Sequence, residues 1–482
     1  MNSYRTWASI DKLPPEILTR IFLMTQEAGG NNTDKECSSR CLSQVASYWR
    51  KVAIATSTLW THIRVKTHQI NYDYPTILLK RSKSHPIHLL ITNTRDESPA
   101  VNEFIEEDSD GDLDVDLDDE GIVLEDFLTF LAKVGSRIYT LEIVSQEYSF
   151  DLAVNLLSFL LDHGRSDMLN ILHVKRAGPV TSRYNYEIDW RTSGTDSPDH
   201  CESVLKSVNV LHLENVYFPW DSMTYQGLVD LRLQFTDACP LIEPSNLVGV
   251  LAASPTLTIL KIHGLQLEYL DEWYGPITIA LPCLEVIYLG RLSDVGWEFL
   301  LGTISLLDSS KNLHVGLEEF QPATDYQLEA FLHGSRLRTL SLADTIVEDS
   351  YFSILPFLTA ASSIDNLVLN CFAALDEYEI KSVKDALSGE GNWRLGLGRL
   401  PRLFLVSCCI GFDDLRAVIQ LWGVQALHLE RCTVEPPLNE GESAETIERL
   451  RDRLIAAIPH LVCTVSDEVN ISKWACCNMF DQ

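Results

Sequence analysis

Histidine and cysteine side chains are the groups of this 482-residue chain that could do chemistry, so their sequence context comes first. A serine nucleophile needs a GxSxG turn, a zinc protease needs HExxH on a helix, and phosphate binding needs a glycine-rich loop before a helix. The sequence contains none of these motifs and no dinucleotide fingerprint. We therefore predict no enzyme, no catalytic residues and no cofactor. The enzymatic alternative is a hydrolase that uses histidines and carboxylates on a binding face.

The cysteines are scattered along the chain. There are twelve, no CxxC pair occurs, and two pairs are directly adjacent, Cys408-Cys409 and Cys476-Cys477. Structural zinc sites and disulfide frameworks need other spacings. Free thiols are typical of a reducing compartment. We predict no metal, and a cytoplasmic or nuclear protein, or both, because the sequence shows neither a signal peptide nor an apolar run long enough to span a bilayer.

One acidic stretch partly matches a calcium loop. Residues 103–120 contain eleven carboxylates and no basic residue, and Asp114, Asp116, Asp118 and Glu125 fall at calcium-ligand positions. The sixth position, which needs glycine for a sharp turn, holds Asp119. Such a self-repelling block is typical of a solvated, disordered loop, and we favour that interpretation over a calcium site.

The charge balance limits the choice of partners. The formal net charge is -30. Nearly all of the excess negative charge lies after residue 65, and it repels phosphate backbones and anionic lipid headgroups. We therefore predict no nucleic-acid and no membrane partner, and we favour a basic protein partner.

A repeated pattern runs through the chain from Leu141. An apolar residue is followed by two others, then Leu or Ile, one other residue and a further apolar residue. The fourth residues of the clearest copies are Leu231, Leu260, Ile287, Leu313, Leu340, Leu367, Leu403 and Leu427. Helical patterns lie between these short strands, as in residues 245–252. Units of this size cannot bury their apolar side alone, so they must stack.

Side chains between the apolar positions of each strand point away from the core. If the strands stack in register, these residues line one concave face. A recognition surface and an inert solvated face are both open interpretations, and recognition is favoured for the face as a whole. The candidate substrate-binding residues are His212, Arg232, Lys261, Tyr288, His314, Ser341, Phe404 and His428.

The N-terminal segment has helical periodicity. Pro14 and Pro15 suit the first turn of a helix, and Ile17, Leu18, Ile21 and Phe22 follow as an apolar stripe. A second piece carries Leu42, Val45 and Trp49 at helical spacing, after a polar insertion at residues 26–38. These residues alone indicate a small helical domain.

The order Leu13-Pro14-Pro15-Glu16-Ile17-Leu18, Ile21-Phe22, Val45, Trp49-Arg50 and Leu59-Trp60 resembles an F-box. The repeats are similar to leucine-rich repeats, and the combination resembles fungal-type F-box proteins. The resemblance implies docking onto a Skp-type adaptor of a cullin–RING ubiquitin ligase. Carried over to matching positions, the adaptor-binding residues are Leu13, Pro14, Glu16, Ile17, Leu18, Ile21, Leu42, Val45 and Trp49.

The predicted fold class is α/β, with a helical F-box domain at residues 1–65 and an irregular leucine-rich-repeat solenoid at 137–482, parallel strands inside and helices outside. Residues 66–136 are predicted to be a linker with a strand, a helix and the acidic loop. The predicted function is substrate recognition in an SCF-type ubiquitin ligase. The alternative is a scaffold that binds partners without directing ubiquitination.

Overall fold

A computed structural model describes most of the chain. The described residues are 13–29, 32–67, 72–93, 120–146, 150–177, 187–189, 191, 198–236, 241–268, 277–306, 312–320, 325–332, 336–343, 364–370, 400–435, 447–458 and 460–466. The chain divides into two compact units, Met1–Thr224 with Gln482, and Tyr225–Asp481. Each unit is described separately.

The first elements that the structure describes in the first unit are three helices. They are α1 (Pro15–Glu27), α2 (Asn32–Leu42) and α3 (Ser47–Ala55), followed by a 3₁₀ turn at Ser57–Trp60. The carbonyl of Pro14 accepts hydrogen bonds from the next turn, so the helix begins at the prolines as predicted. One expectation was wrong: Leu42 and Trp49 lie on different helices, because the chain turns at residues 43–46. Residues 32–38 of the polar insertion form the first part of α2.

The helices share a small core. Leu18 and Phe22 are fully buried, and Gln26 lies beside them on α1. The Gln26 side-chain amide donates to Ser39 Oγ at 2.8 Å and to the Leu59 carbonyl at 3.1 Å. A buried amide needs such partners, so Gln26 stabilises the packing of the first two helices against the 3₁₀ turn.

The same unit continues as alternating strands and helices. Its remaining elements are β1 (His62–Lys66), α4 (Asp73–Arg81), β2 (Ile87–Asn93), α5 (Glu120–Val134), β3 (Ile138–Gln146), α6 (Phe150–His163), β4 (Ile171–Ala177), α7 (Pro198–Leu205) and β5 (Val210–Glu214). The five strands pair in parallel in chain order. The first two strands therefore join the same ladder as β3: β1 lies at the end of the predicted helical domain, and β2 lies within the segment predicted to be a linker.

Within the described residues, nine strands of the second unit form one parallel ladder. They are β6 (Asp230–Gln234), β8 (Ile259–His263), β11 (Val286–Gly290), β13 (Leu313–Glu318), β14 (Leu337–Ala343), β15 (Asn366–Asn370), β16 (Arg402–Val406), β18 (Ala426–Glu430) and β20 (Val462–Ser466). Short parallel pairs are formed by β7 (Leu241–Ile242) with β9 (Gln266–Leu267), β10 (Ile279–Ala280) with β12 (Ile304–Ser305), and β17 (Cys409–Gly411) with β19 (Thr433–Glu435).

Helices connect many of these strands. They are α8 (Pro244–Ala252), α9 (Asp294–Thr303), α10 (Asp325–Leu332), α11 (Phe412–Leu421) and α12 (Ile447–Ala457). Parallel neighbours need such crossover connections. Both units are thus built from repeated strand and helix units, and the predicted leucine-rich-repeat-like α/β fold class is confirmed.

The strand register corrects one repeat. Leu289 pairs with Leu317, and Val315 pairs with both Ile287 and Leu340. Val315, not Leu313, therefore holds the fourth position of that unit. The sequence pattern failed here because the strand pairing shifts next to Leu313. Leu313 lies two residues before the fourth position, whereas its partner Leu337 lies three residues before it.

A row of backbone hydrogen bonds between neighbouring turns lies just after the strands. The amide of Gly264 donates to the carbonyl of Gly290, that of Arg291 to Glu318, and that of Ser407 to Glu430. All three donors have positive φ. Each turn therefore depends on the strand that follows it in the sheet.

Candidate interaction surfaces

The predicted adaptor-binding residues divide into two groups. Leu18 and Leu42 are buried in the helical core. Pro14, Glu16, Ile17 and Val45 are exposed, and Leu13, Ile21 and Trp49 are intermediate. The two buried leucines therefore stabilise the domain instead of facing solvent, because the helical stripe must cover its own core.

One face of α1 remains apolar and open. Pro14, Ile17, Ile21 and Met24 recur at helical spacing, which places them on one side of the helix. Ile17 is 48% exposed and Met24 61%. We call these four residues the α1 stripe. Sequence reasoning missed Met24, although its spacing of seven residues from Ile17 could have revealed it.

Trp49 has a partly structural role. Its ring lies 5.1 Å from the ring of Phe22, at an interplanar angle of 53°. Nearby, the Tyr48 hydroxyl donates to the carbonyl of Leu13 at 3.0 Å and thereby attaches α3 to the start of α1. Val45, in the turn between α2 and α3, is 62% exposed and takes no part in this packing.

The expected open strand face is closed over much of the second unit. Arg232, Tyr288 and Ser341 are buried, and Lys261 is only 1% exposed. Neighbouring Val368 is buried as well, although its strand position faces away from the apolar core. The prediction that these residues present themselves to a substrate is therefore wrong, because β6 to β15 are covered on both faces.

Buried charge on these strands is paired along the strand. Arg232 Nε donates to Asp230 Oδ1 at 3.0 Å, and the Arg232 terminal nitrogen donates to Oδ2 at 2.8 Å. Both side chains are about nine-tenths buried. Two-point pairing of this kind offsets the cost of removing both charges from water.

His314 belongs to a different row from the one predicted. It pairs in register with Val286 and Thr339, whereas Tyr288 pairs with Gly316. The reason is the same register shift that moves the repeat position to Val315. Burial lowers the pKa of His314, with a smaller contribution from Arg338.

Histidines line the strand face of the first unit. The rings of His62 and His88 stack at 4.4 Å, and His88 Nδ1 lies 3.0 Å from the Thr140 hydroxyl. His173 lies edge-on to His212, with 5.7 Å between ring centroids. Burial lowers the pKa of His62 to about 3 and also lowers that of His88. This pair is therefore neutral at physiological pH.

Sequence reasoning found only His212 of this group. His88 and His173 also lie between apolar residues of a strand, so the pattern that selected His212 could have selected them. Glu142, which pairs in register with Leu90 and His173, is 3.7 Å from His173 Nδ1. Among the described residues, no three His, Cys, Asp or Glu side chains are arranged to hold a metal ion.

The last strands of the second unit are more open. Phe404 and His428 are half-buried, and their rings stack at 4.3 Å and 5°. The Thr464 hydroxyl forms a hydrogen bond with His428 Nδ1. Arg402 and Val462 are exposed one row away. The structure thus brings two of the predicted face residues, Phe404 and His428, into one accessible patch.

Two cysteines that follow β16 and β18 form hydrogen bonds with backbone carbonyls. Cys408 Sγ lies 3.4 Å from the Leu369 carbonyl, and Cys432 Sγ lies 3.2 Å from that of Leu405. Each thiol thus reaches back to the preceding strand of the ladder. Hydrogen bonding with Cys408 lowers the pKa of Cys432 to about 7, against the effect of burial.

Several sequence predictions lie outside the described residues. These are most of the acidic loop and its calcium-like positions up to Asp119. Among described residues, no helix has the length and apolar character needed to cross a membrane.

Comparison with protein families and with curated proteins finds no match. Among solved structures, the chain is similar to an internalin, InlF, of Listeria monocytogenes, with 12% identity over 70% of this chain and 82% of that chain. The TM-score is 0.31, which is too low to support an inference about function. The repeat-like fold is assigned from the strand register of the chain itself.

Proposed function

We propose that this protein is the substrate-recognition subunit of an SCF-type cullin–RING ubiquitin ligase. The observation that carries the proposal is the α1 stripe, an apolar helix face left exposed on the domain whose sequence resembles an F-box. Exposed apolar surface of this kind is typical of a protein interaction site. Val45 adds a second exposed apolar side chain on the same domain.

The docking surface proposed here differs from the set carried over by resemblance. Pro14, Ile17, Ile21, Met24 and Val45 are available to a Skp-type adaptor. Apolar helical residues of this type pack into a groove of the partner. Leu18 and Leu42 support the surface from behind, because they fill the core beneath it.

The proposed mechanism involves no bond chemistry by this chain. One end binds the adaptor, and the repeat region binds a substrate protein. Holding both raises the effective concentration of substrate lysines near the conjugating enzyme of the ligase. The repeated parallel strands are consistent with this role, since stacked repeats commonly provide binding surfaces.

The test measures the affinity of the full chain for a purified Skp-type adaptor. Ile17→Asp combined with Met24→Asp should weaken binding by roughly 2–4 kcal/mol, because two anchor side chains would become charged. Leu241→Asp is the matched control, since Leu241 is 66% exposed but lies in the second unit. It should bind normally. Equal affinity of all three proteins would contradict the proposal, as would no binding by the wild type.

The substitution Trp49→Ala is a poorer test because it also removes packing against Phe22. A separate measurement distinguishes the ligase subunit from the scaffold. The half-life of a captured partner should lengthen when this protein is removed from cells. An unchanged half-life with adaptor binding intact would favour the scaffold.

A further inference from the structure

Accessibility changes along the strand ladder of the second unit. In β6 to β15, the middle-row side chains are covered, as Lys261 and Ser341 illustrate. In β16, β18 and β20, the equivalent positions are Phe404, His428 and Thr464, and they are half-buried or exposed. A ligand can therefore reach this face at its last three strands.

The accessible end presents the edges of two aromatic rings. Phe404 and His428 stack face to face, with 4.3 Å between their centroids, so their outward edges lie side by side as a two-ring platform. The hydrogen bond from Thr464 fixes the His428 ring through Nδ1. Burial lowers the pKa of His428, and Arg402 adds to the effect, so the ring is neutral at pH 7. A neutral fixed ring makes an edge-to-face contact with another aromatic group without first losing solvated charge.

A cation stands beside the platform. Arg402 is exposed, and among the described residues no carboxylate forms an ion pair with it. Asp365, whose backbone carbonyl accepts a hydrogen bond from the Arg402 amide, has its carboxylate paired with Arg338 at 3.4 Å. Glu430 lies on the same face but two rows further along. An exposed arginine that has no acidic partner among the described residues is notable in a chain with a net charge of -30.

We propose that Arg402, Phe404, His428, Val462 and Thr464 form a binding site for an extended peptide carrying an aromatic side chain next to a carboxylate. The face of the aromatic group lies against the outward edges of Phe404 and His428, and the carboxylate pairs with Arg402. Val462, which is 61% exposed, covers the apolar part of the peptide. We call these five residues the terminal platform.

The strand geometry sets the spacing of the peptide motif. Arg402 and Phe404 are two residues apart on the same face of β16, which separates them by about 6.6 Å along the strand. A peptide in an extended conformation spans the same distance with two residues. The aromatic residue and the Asp or Glu should therefore be no more than two positions apart.

The terminal platform would define the class of substrate that the repeat region binds. Its role in substrate recognition rests on the proposed function. The net negative charge of the chain favours a basic partner surface, whereas the terminal platform favours an acidic residue locally. The two are compatible, because charges separated by more than about 8 Å are screened at physiological salt. The peptide motif can therefore belong to a protein that is basic overall.

The test selects random twelve-residue peptides displayed on phage with the full-length protein as bait. Wild type should enrich peptides with Phe, Tyr or Trp within two positions of Asp or Glu. Arg402→Glu should reverse the preference, so that Lys or Arg replaces the acidic residue, and should weaken the best wild-type peptide by about tenfold or more. Phe404→Leu should remove the aromatic preference.

Arg416→Glu is the matched control, since Arg416 is an exposed arginine on α11 of the same unit. It should select the same peptides as wild type. Enrichment of peptides without the motif, no enrichment at all, or an unchanged preference in Arg402→Glu would overturn the proposal. Thermal unfolding of each variant separates loss of binding from loss of fold.

Adaptor affinity measured on the same proteins separates the two proposals. The terminal platform variants should bind the Skp-type adaptor normally, and the Ile17 and Met24 double variant should still select the peptide motif. Peptide binding without adaptor binding would reject the ligase role and retain the peptide site. The reverse result would reject only the peptide site.

Discussion

The side chain of Glu36, on α2, accepts a hydrogen bond from the backbone N–H of Arg64, in β1, at 2.9 Å. This bond links the helical part of the first unit to its first strand. Burial raises the pKa of Glu36, against the opposing effects of this hydrogen bond and of Arg64 and Arg40. The ionised carboxylate therefore carries a burial cost at neutral pH, although it supplies an acceptor to the strand amide.

Replacing Glu36 should separate these two effects. Glu36→Ala should lower the free energy of unfolding by about 1–2 kcal/mol, because the Arg64 amide loses its acceptor. Glu36→Gln should stay within about 0.5 kcal/mol of wild type, since it keeps an oxygen acceptor and removes the charge. Urea unfolding measures both, with exposed Glu27→Gln as control. Equal losses for Ala and Gln would contradict the acceptor role.

The buried Asp230 and Arg232 pair should behave as a unit. Arg232→Met should destabilise the protein by about 3–5 kcal/mol, because the buried Asp230 carboxylate loses its guanidinium. Adding Asp230→Asn should recover part of that loss. Chemical unfolding of single and double variants measures the coupling.

The first unit supplies a control with the same bond pattern. Arg165 and Asp167 are also two residues apart, joined by bonds of 3.1 and 2.8 Å, but both are exposed. Arg165→Met should cost no more than about 1 kcal/mol. A similar loss at both sites would show that burial does not determine the effect.

Gly264 should not tolerate a side chain. Its φ is +71°, and a Cβ there would lie 1.8 Å from the carbonyl oxygen of Phe235. Gly227 has the same φ with open space around it. Gly227→Ala should therefore cost about 1–2 kcal/mol from backbone strain alone, and Gly264→Ala clearly more, as measured by thermal unfolding. Equal losses of stability in the two variants would contradict the close approach of residue 264 to the Phe235 carbonyl.

The His62 ring should make stability fall in acid. Burial lowers its pKa in the folded state to about 3, whereas the unfolded value is 6.5. The unfolded chain therefore binds more protons between these values, so this contribution to stability is present above pH 6.5 and is lost as pH falls toward 3. His62→Phe keeps a ring against His88 but cannot take up a proton. Its unfolding midpoint should fall less than that of wild type between pH 7 and 5, and parallel profiles would contradict this.

Much of the repeat architecture was predictable from periodicity. Leu260, Leu340 and Leu427 are all fully buried at the strand positions that the pattern selects. Local sequence specifies them because alternation assigns each side chain to one face. It failed at Leu313, where the strand pairing shifts and the first apolar residue lies two residues before the fourth position instead of three.

The accessible surfaces were less predictable. Alternation places Lys261 and His428 equally on the face away from the apolar core, yet one is covered and the other is half-exposed. That difference depends on what packs over each strand, which local periodicity does not encode. Leu18 and Met24 on α1 show the same difficulty. Apolar spacing places both on a helix, but it does not show that Leu18 is buried against the rest of the domain while Met24 is exposed.

The turns that follow the strands have a consequence for how repeat units can be added during evolution. Arg291 and Ser407 adopt positive φ without being glycine, and each offers its amide to the strand after it. Each of these turns needs a backbone carbonyl at one position of the next strand. A duplicated repeat unit would supply that carbonyl whatever its side chains were. Gene duplication can therefore lengthen this protein one unit at a time, while selection varies the outward side chains without disturbing the joints.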